Sequence, residues 1–122
     1  MNRFIKSVGY ALSGIKYCLA TGKNFRIQLV VALIVIGMGI ALQCTAIEWL
    51  VLLLCIGIVL SLEMMNSAIE KSCDMQQTGV HPTIKIIKDM AAGAVLLMSV
   101  VSAICGAIIF LPKLLHFFNL NF

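Results

Sequence analysis

Charge is scarce in this chain. Only 11% of its 122 residues are Asp, Glu, Lys or Arg, where soluble domains carry about 25%. So few ionic groups cannot clothe a water-exposed surface, and the composition points to a membrane. Glycine-rich phosphate loops of the Walker A and protein-kinase types are missing, as are CxxC and HExxH motifs. Length and composition exclude a conventional soluble nucleotide-binding fold, so any chemistry has to be assembled at a membrane surface. The apolar start also lacks the uninterrupted core and cleavage site of a secretion signal. Arg3, Lys6, Lys16, Lys23 and Arg26 break it up, and it is expected to be retained. Cys18, Cys44, Cys55, Cys73 and Cys105 are odd in number and scattered, which argues against metal or disulfide roles. They read as small apolar packing residues.

What the chain has in quantity is apolar length: 61% of it is hydrophobic. Ile27 to Ile47 contains no charge, Trp49 to Ile69 contains only Glu63, and Met90 to Pro112 contains none. A spanning helix needs roughly 20 apolar residues, so three spans are expected, with no room for a second domain. Basic residues cluster before the first span and, as Lys71, Lys85 and Lys88, in the second connection. The first connection, QCTAIEW, has none. The positive-inside rule then places the N-terminus and residues 74–83 in the cytoplasm, and Trp49 and the C-terminus, 120–122, outside. Within the first 20 residues, Phe4, Ile5, Val8, Leu12, Ile15 and Leu19 recur at helical spacing. That is an amphipathic helix lying in the interface, serving as an anchor or as a lid, with Ser13-Gly14 a point where it could bend.

The polar residues at the end of the second span form a pattern. In EMMNSAIEKSCD, Glu63, Asn66 and Glu70 fall within about 60° of one another on a helix, with Ser67 beside them. From Trp49 to Leu62 the helix climbs about 21 Å, against a hydrocarbon thickness of about 30 Å. Glu63 should therefore lie inside the cytoplasmic edge of the hydrocarbon. Glu70, about 10 Å further along, should reach water. Two carboxylates so far apart fit a division of labour: the deep one meets a lipid headgroup, the shallow one something aqueous. A carboxylate at membrane depth is expensive and marks function, and its poor solvation suits a general base taking a proton from an alcohol. Lys88 and Asp89, at the start of the third span, share the level of Glu70. They read either as an interfacial lysine with its counter-ion or as a phosphate-contacting pair. Ala91, Ala92, Gly93 and Ala94 allow close helix approach there. His81-Pro82 reads as a turn.

EMMNSAIE and KDMAAGAV together resemble the two signature motifs of the prokaryotic diacylglycerol kinase/undecaprenol kinase family, and the layout resembles it over nearly the whole chain. The resemblance implies an all-α integral membrane fold: an amphipathic surface helix and three transmembrane helices, assembled as a homotrimer in the bacterial cytoplasmic membrane. The single lipid kinase domain, 1–122, would comprise a surface helix over 1–21 and spans over 24–47, 48–73 and 84–112. It also implies transfer of the ATP γ-phosphate to a membrane lipid alcohol, with Mg²⁺. Glu63 would be the catalytic base and contact the substrate, with Asn66 in the same site. Glu70 would bind the metal and ATP, and Lys88, Asp89, Arg3 and Tyr10 would contact the nucleotide. HPTIKIIKDMAAGAV and NFRIQL look more like the undecaprenol branch than the diacylglycerol branch. One departure stands out: Gly22 occupies a position where the family usually has a metal-assisting glutamate. Either another group serves or metal binding is weaker. Two other readings compete, a non-catalytic interaction protein that is a relic of such a kinase, and a transporter component using Glu63 as a proton relay.

Overall fold

The computed structural model describes residues 2–76, 79 and 81–119. The expected cytoplasmic connection at 74–83 falls partly outside the described residues, and the tail at 120–122 wholly so. Four helices follow in order: α1 Asn2–Thr21, α2 Lys23–Ala41, α3 Ala46–Gln76 and α4 Pro82–Asn119. The last three are each long and apolar enough to cross a membrane. At 1.5 Å per residue they measure about 28, 46 and 57 Å, so α3 and α4 overshoot the hydrocarbon while α2 barely matches it. Helix α3 is the central element. It runs along α4 and carries α2 on another side, while α2 and α4 approach each other less closely.

The chain breaks α2 earlier than hydropathy suggests, at Ala41 rather than at 47. Leu42 caps the helix and Gln43 takes a left-handed conformation (φ 56°). The Cys44 N–H then donates to the Gly39 carbonyl (3.0 Å) and the Gln43 N–H to that of Ile40 (3.3 Å). These are the two bonds of a Schellman stop. Thr45 at once starts α3. Its hydroxyl accepts from the Glu48 N–H (3.3 Å), while its own N–H donates to Glu48 Oε1 (2.9 Å). This reciprocal capping box satisfies two of the donors that a helix start leaves orphaned. Trp49 follows, its indole lying against α2 where a Cβ on Gly39 would come within 2.7 Å of it.

Helix α4 passes the expected stop at Pro112 and continues to Asn119. Proline removes one backbone bond, a loss that membrane helices absorb through neighbouring groups. One turn of fixing comes from Lys113, which bridges to Glu48 at 2.9 Å with both side chains largely covered. The tightest packing sits at this same end: Leu52, Ile109 and Phe110 form a buried cluster, flanked by Val35, Met38, Leu42, Cys44 and Val51. Most other apolar side chains of the three spans face outward, as lipid-solvated helices allow. The cysteines are all free, with Cys55 and Cys73 buried.

Helix α1 is unbroken through Ser13 and Gly14 and buries no residue. Its apolar stripe of Phe4, Ile5, Val8, Leu12, Ile15 and Leu19 is wholly exposed. Only its last turns meet the bundle, and Gly22 makes the junction. The Gly22 N–H donates to the Cys18 carbonyl (2.7 Å) and the Gly22 carbonyl accepts from Arg26 (3.1 Å). Gly22 thus closes one helix and caps the next.

Candidate active site

The end of the bundle opposite the packed cluster holds a polar cleft of about 430 Å³. One wall is the α1–α2 junction, Thr21 to Asn24; the other is the α3 face bearing Glu63, Ser67, Glu70, Lys71 and Asp74. The helical spacing of these acidic residues aligns them, and depth separates them. Glu63 and Asn66 are buried (5% and 7% exposed), whereas Glu70 and Asp74 are exposed. The Asn66 amide donates to Glu70 Oε1 at 3.3 Å, while Asn66 Oδ1 is buried without a partner. The Gln28 side chain of α2 lies within hydrogen-bonding reach of the Glu63 carboxyl. Glu63 therefore sits where the polar cleft gives way to apolar packing.

On the far side of Gln28 an apolar groove of about 360 Å³ runs between α2 and α4 with α3 as its floor, from Gln28 past Ala32, Cys55 and Ser102 to Phe110. Gln28 Oε1 and Ser102 Oγ are buried in it without partners. A water-facing cleft and a membrane-level groove thus meet at the Gln28–Glu63 contact.

The remaining sequence-derived candidates are placed differently. Lys88 and Asp89 do not pair with each other. Lys88 bridges to Asp74 at the cleft mouth (3.0 Å), and Asp89 pairs with Lys85 one turn earlier (2.6 Å). Neighbours in sequence point about 100° apart on a helix, while i,i+4 residues share a face. Arg3 and Tyr10 lie further up α1, about 21 and 10 Å before Tyr17 along the axis, and neither lines the cleft. Gly22 does line it, facing the same space as Glu70. Gln28, Lys71 and Asp74 are the site residues that motif reading passes over. Asp74 was within reach of it, being four residues after Glu70. Gln28 and Lys71 become visible only when helices are brought together.

Among the described residues no group of three or more His, Cys, Asp or Glu side chains forms a ready cation cage. The donors present still fit a magnesium ion, which typically uses one or two carboxylates and keeps several waters. Glu70 and the unpartnered Asn66 Oδ1 are the oxygens available to it. A carboxylate at position 22 would add to them only at a cost to the turn. A Cβ there would lie 2.8 Å from the Cys18 carbonyl oxygen and 3.2 Å from Phe25 Cβ. The Gly22→Glu variant is therefore expected to loosen the α1–α2 junction and lower the melting temperature, with no tightening of the Mg²⁺ requirement. A variant as stable as the parent with a lower half-maximal Mg²⁺ concentration would contradict this.

Three apolar spans and an amphipathic leading helix, with a carboxylate-lined cleft at one end, define a small multi-pass membrane protein. Residues 9–110 match the prokaryotic diacylglycerol kinase family. The chain is 42% identical over 114 residues to the undecaprenol kinase of Bacillus subtilis strain 168, covering 93% of each chain. It is 40% identical over 110 residues to a diacylglycerol kinase of Synechocystis, covering 89% of this chain and 63% of that one. To the diacylglycerol kinase of Escherichia coli strain K12 it is 30% identical over 107 residues, 88% of each. The chain belongs to the prokaryotic diacylglycerol kinase family and is a lipid kinase.

Proposed function

We propose that this kinase transfers the γ-phosphate of Mg-ATP to the hydroxyl of a membrane lipid alcohol, undecaprenol in preference to diacylglycerol. The observation that carries the reading is the depth difference on one face of α3, with Glu63 buried at the inner end of the cleft and Glu70 exposed at its mouth. A lipid hydroxyl arriving along the groove would meet Glu63 first, and a nucleotide arriving from water would meet Glu70. Glu63 takes the hydroxyl proton as the alcohol oxygen bonds to the γ-phosphorus, and the bond to ADP breaks. Asn66, buried between the two carboxylates in sequence and bonded to Glu70, ties the halves of the site together. Magnesium held by Glu70 and Asn66 would offset the charge of the phosphates. Phosphoryl transfer asks mainly for positioning and charge neutralisation, and this arrangement can supply both.

Lys88 and Asp89, at the cytoplasmic start of α4, and Arg3 and Tyr10, on α1, are the nucleotide-contacting candidates. The distance of Arg3 and Tyr10 from the cleft of their own chain favours a homotrimer in which they reach a neighbouring subunit's nucleotide. The identity to the Bacillus undecaprenol kinase over 93% of both chains favours a polyprenol. Purified protein given labelled ATP and offered undecaprenol and diacylglycerol in parallel tests the reading. Faster labelling of undecaprenol is expected, and labelling of neither lipid would refute it. The lysine distribution favours a cleft on the cytoplasmic side of the membrane. A single cysteine introduced as Gly79→Cys in a cysteine-free background should react with an impermeant maleimide only after the cytoplasmic face is opened. Labelling of intact cells from outside would reverse the orientation.

A further inference from the structure

The cleft contains a cation that the chemistry above leaves unused. Lys71 follows Glu70 on α3 and lines the cleft opposite the α1–α2 junction, where Lys23 stands on the other wall. Its ammonium lies 4.9 Å from the centre of the Tyr17 ring on α1. A lysine on an open helix face would sample many rotamers, a freedom of about 2 kcal/mol. Here an aromatic face restrains it, an attraction typical of cation–π pairs within about 6 Å. Among the described residues no carboxylate bridges to it: Asp74 is taken by Lys88, and Glu70 accepts from Asn66. The Lys71 ammonium beside it in turn holds the Tyr17 phenol below the usual tyrosine range.

We propose that Lys71 is a phosphate-contacting residue of this chain, its ammonium steadied by Tyr17 and directed at the oxygens of the nucleotide's triphosphate in the cleft. The inference rests on the kinase reading of that cleft. An ammonium is a compact point charge with three donors, suited to phosphate oxygens. The charge balance gives it a reason. With glycine at position 22 the cleft has one carboxylate fewer to recruit a metal, and a direct cation on the triphosphate makes up part of that attraction. A headgroup phosphate of an anionic lipid presents the same oxyanion. Lys71 shares its cleft with Glu70 and Ser67, however, and that placement selects the nucleotide.

The test uses the full-length protein in lipid vesicles, with two measurements: the affinity for a non-hydrolysable Mg-ATP analogue, and steady-state turnover with a lipid alcohol. Lys71→Met is expected to weaken analogue binding about tenfold, the loss of one charge-assisted contact in a partly solvated site. The loss in turnover should fall on the ATP KM rather than on kcat, and Lys71→Arg should restore most of it. Tyr17→Leu, which leaves the charge and removes its support, should weaken binding about threefold, and Tyr17→Phe, which keeps the ring face, less. The Tyr17 variants read the same contact should Lys71→Met fail to fold. Unchanged analogue affinity in folded Lys71→Met would overturn the proposal. So would an effect that appears only when the anionic lipid content is varied. Because binding is read without turnover, the two ideas fail separately. A parent protein that binds the analogue but phosphorylates no lipid sinks the kinase reading, while an active parent matched in affinity by Lys71→Met sinks this one.

Discussion

Glu63→Gln will stop phosphate transfer while the nucleotide still binds. The carboxyl is buried at the inner end of the cleft, and the Gln28 side chain reaches it from α2. Glutamine fills the same volume and can still hydrogen-bond to Gln28, so helix packing should survive. What it cannot do is take a proton from an alcohol. A positioned general base typically contributes 10²–10⁴-fold, so kcat should fall by about that factor at saturating ATP and lipid. The nucleotide dissociation constant should move less than about threefold, since Glu63 lies roughly 10 Å from Glu70 along the helix. Calorimetric titration of a non-hydrolysable analogue alongside the kinetic assay gives both numbers. Collapse of nucleotide affinity with turnover preserved would exchange the roles of the two glutamates.

Glu70→Gln should produce the complementary pattern. Glu70 is exposed and accepts a hydrogen bond from the Asn66 amide, which a glutamine carbonyl can still accept. Folding stability should therefore change within about 0.5 kcal/mol. The loss falls on charge. Without its carboxylate the mouth of the cleft keeps only the neutral Asn66 oxygen as a near ligand, and Asp74 is engaged by Lys88. Half-maximal activity should need about tenfold or more Mg²⁺, and ATP affinity should drop with it, as expected for losing one charged ligand of few. Excess Mg²⁺ should recover much of kcat, which it cannot do for Glu63→Gln. An unchanged Mg²⁺ titration would move the metal to other oxygens, with Asp89 and Asp74 the first to replace.

Much of this was legible in the sequence, for reasons that differ from part to part. Three charge-poor stretches announce three spans because lipid tolerates so few ionic groups. The alignment and depth of Glu63, Asn66 and Glu70 follow from helical pitch alone, so a single helix was enough to see them. Helix ends were less visible. Hydropathy runs unbroken from α2 towards Ile47, and the stop at Ala41 rests on Gln43 accepting a left-handed backbone, normally a glycine's role. Thr45 and Glu48 do spell a capping box, a local signal that the apolar background hides. Pairings between helices were out of reach. Nothing in KDM says that Lys88 turns to Asp74 fourteen residues away, or that Tyr17 comes to rest beside Lys71. Such contacts depend on how α1 and α4 meet α3, which no single-helix periodicity encodes.

The bridge between Lys88 and Asp74 joins two helices, yet both partners remain open to water, at 39% and 67% exposure. Pairs in that setting hold with only about 0.2–1 kcal/mol. On the proposed chemistry, a triphosphate arriving at the cleft mouth would bring far more negative charge than one carboxylate, so Lys88 could change partners at little net expense. Asp74, left alone beside the phosphates, is then pushed away from them. Once a phosphate has departed on the lipid, the pull on Lys88 weakens and Asp74 can reclaim it. On the proposed chemistry the bridge behaves as a return spring: it yields to the incoming nucleotide, is loaded by repulsion during the reaction, and closes behind the outgoing ADP to leave the site as it began.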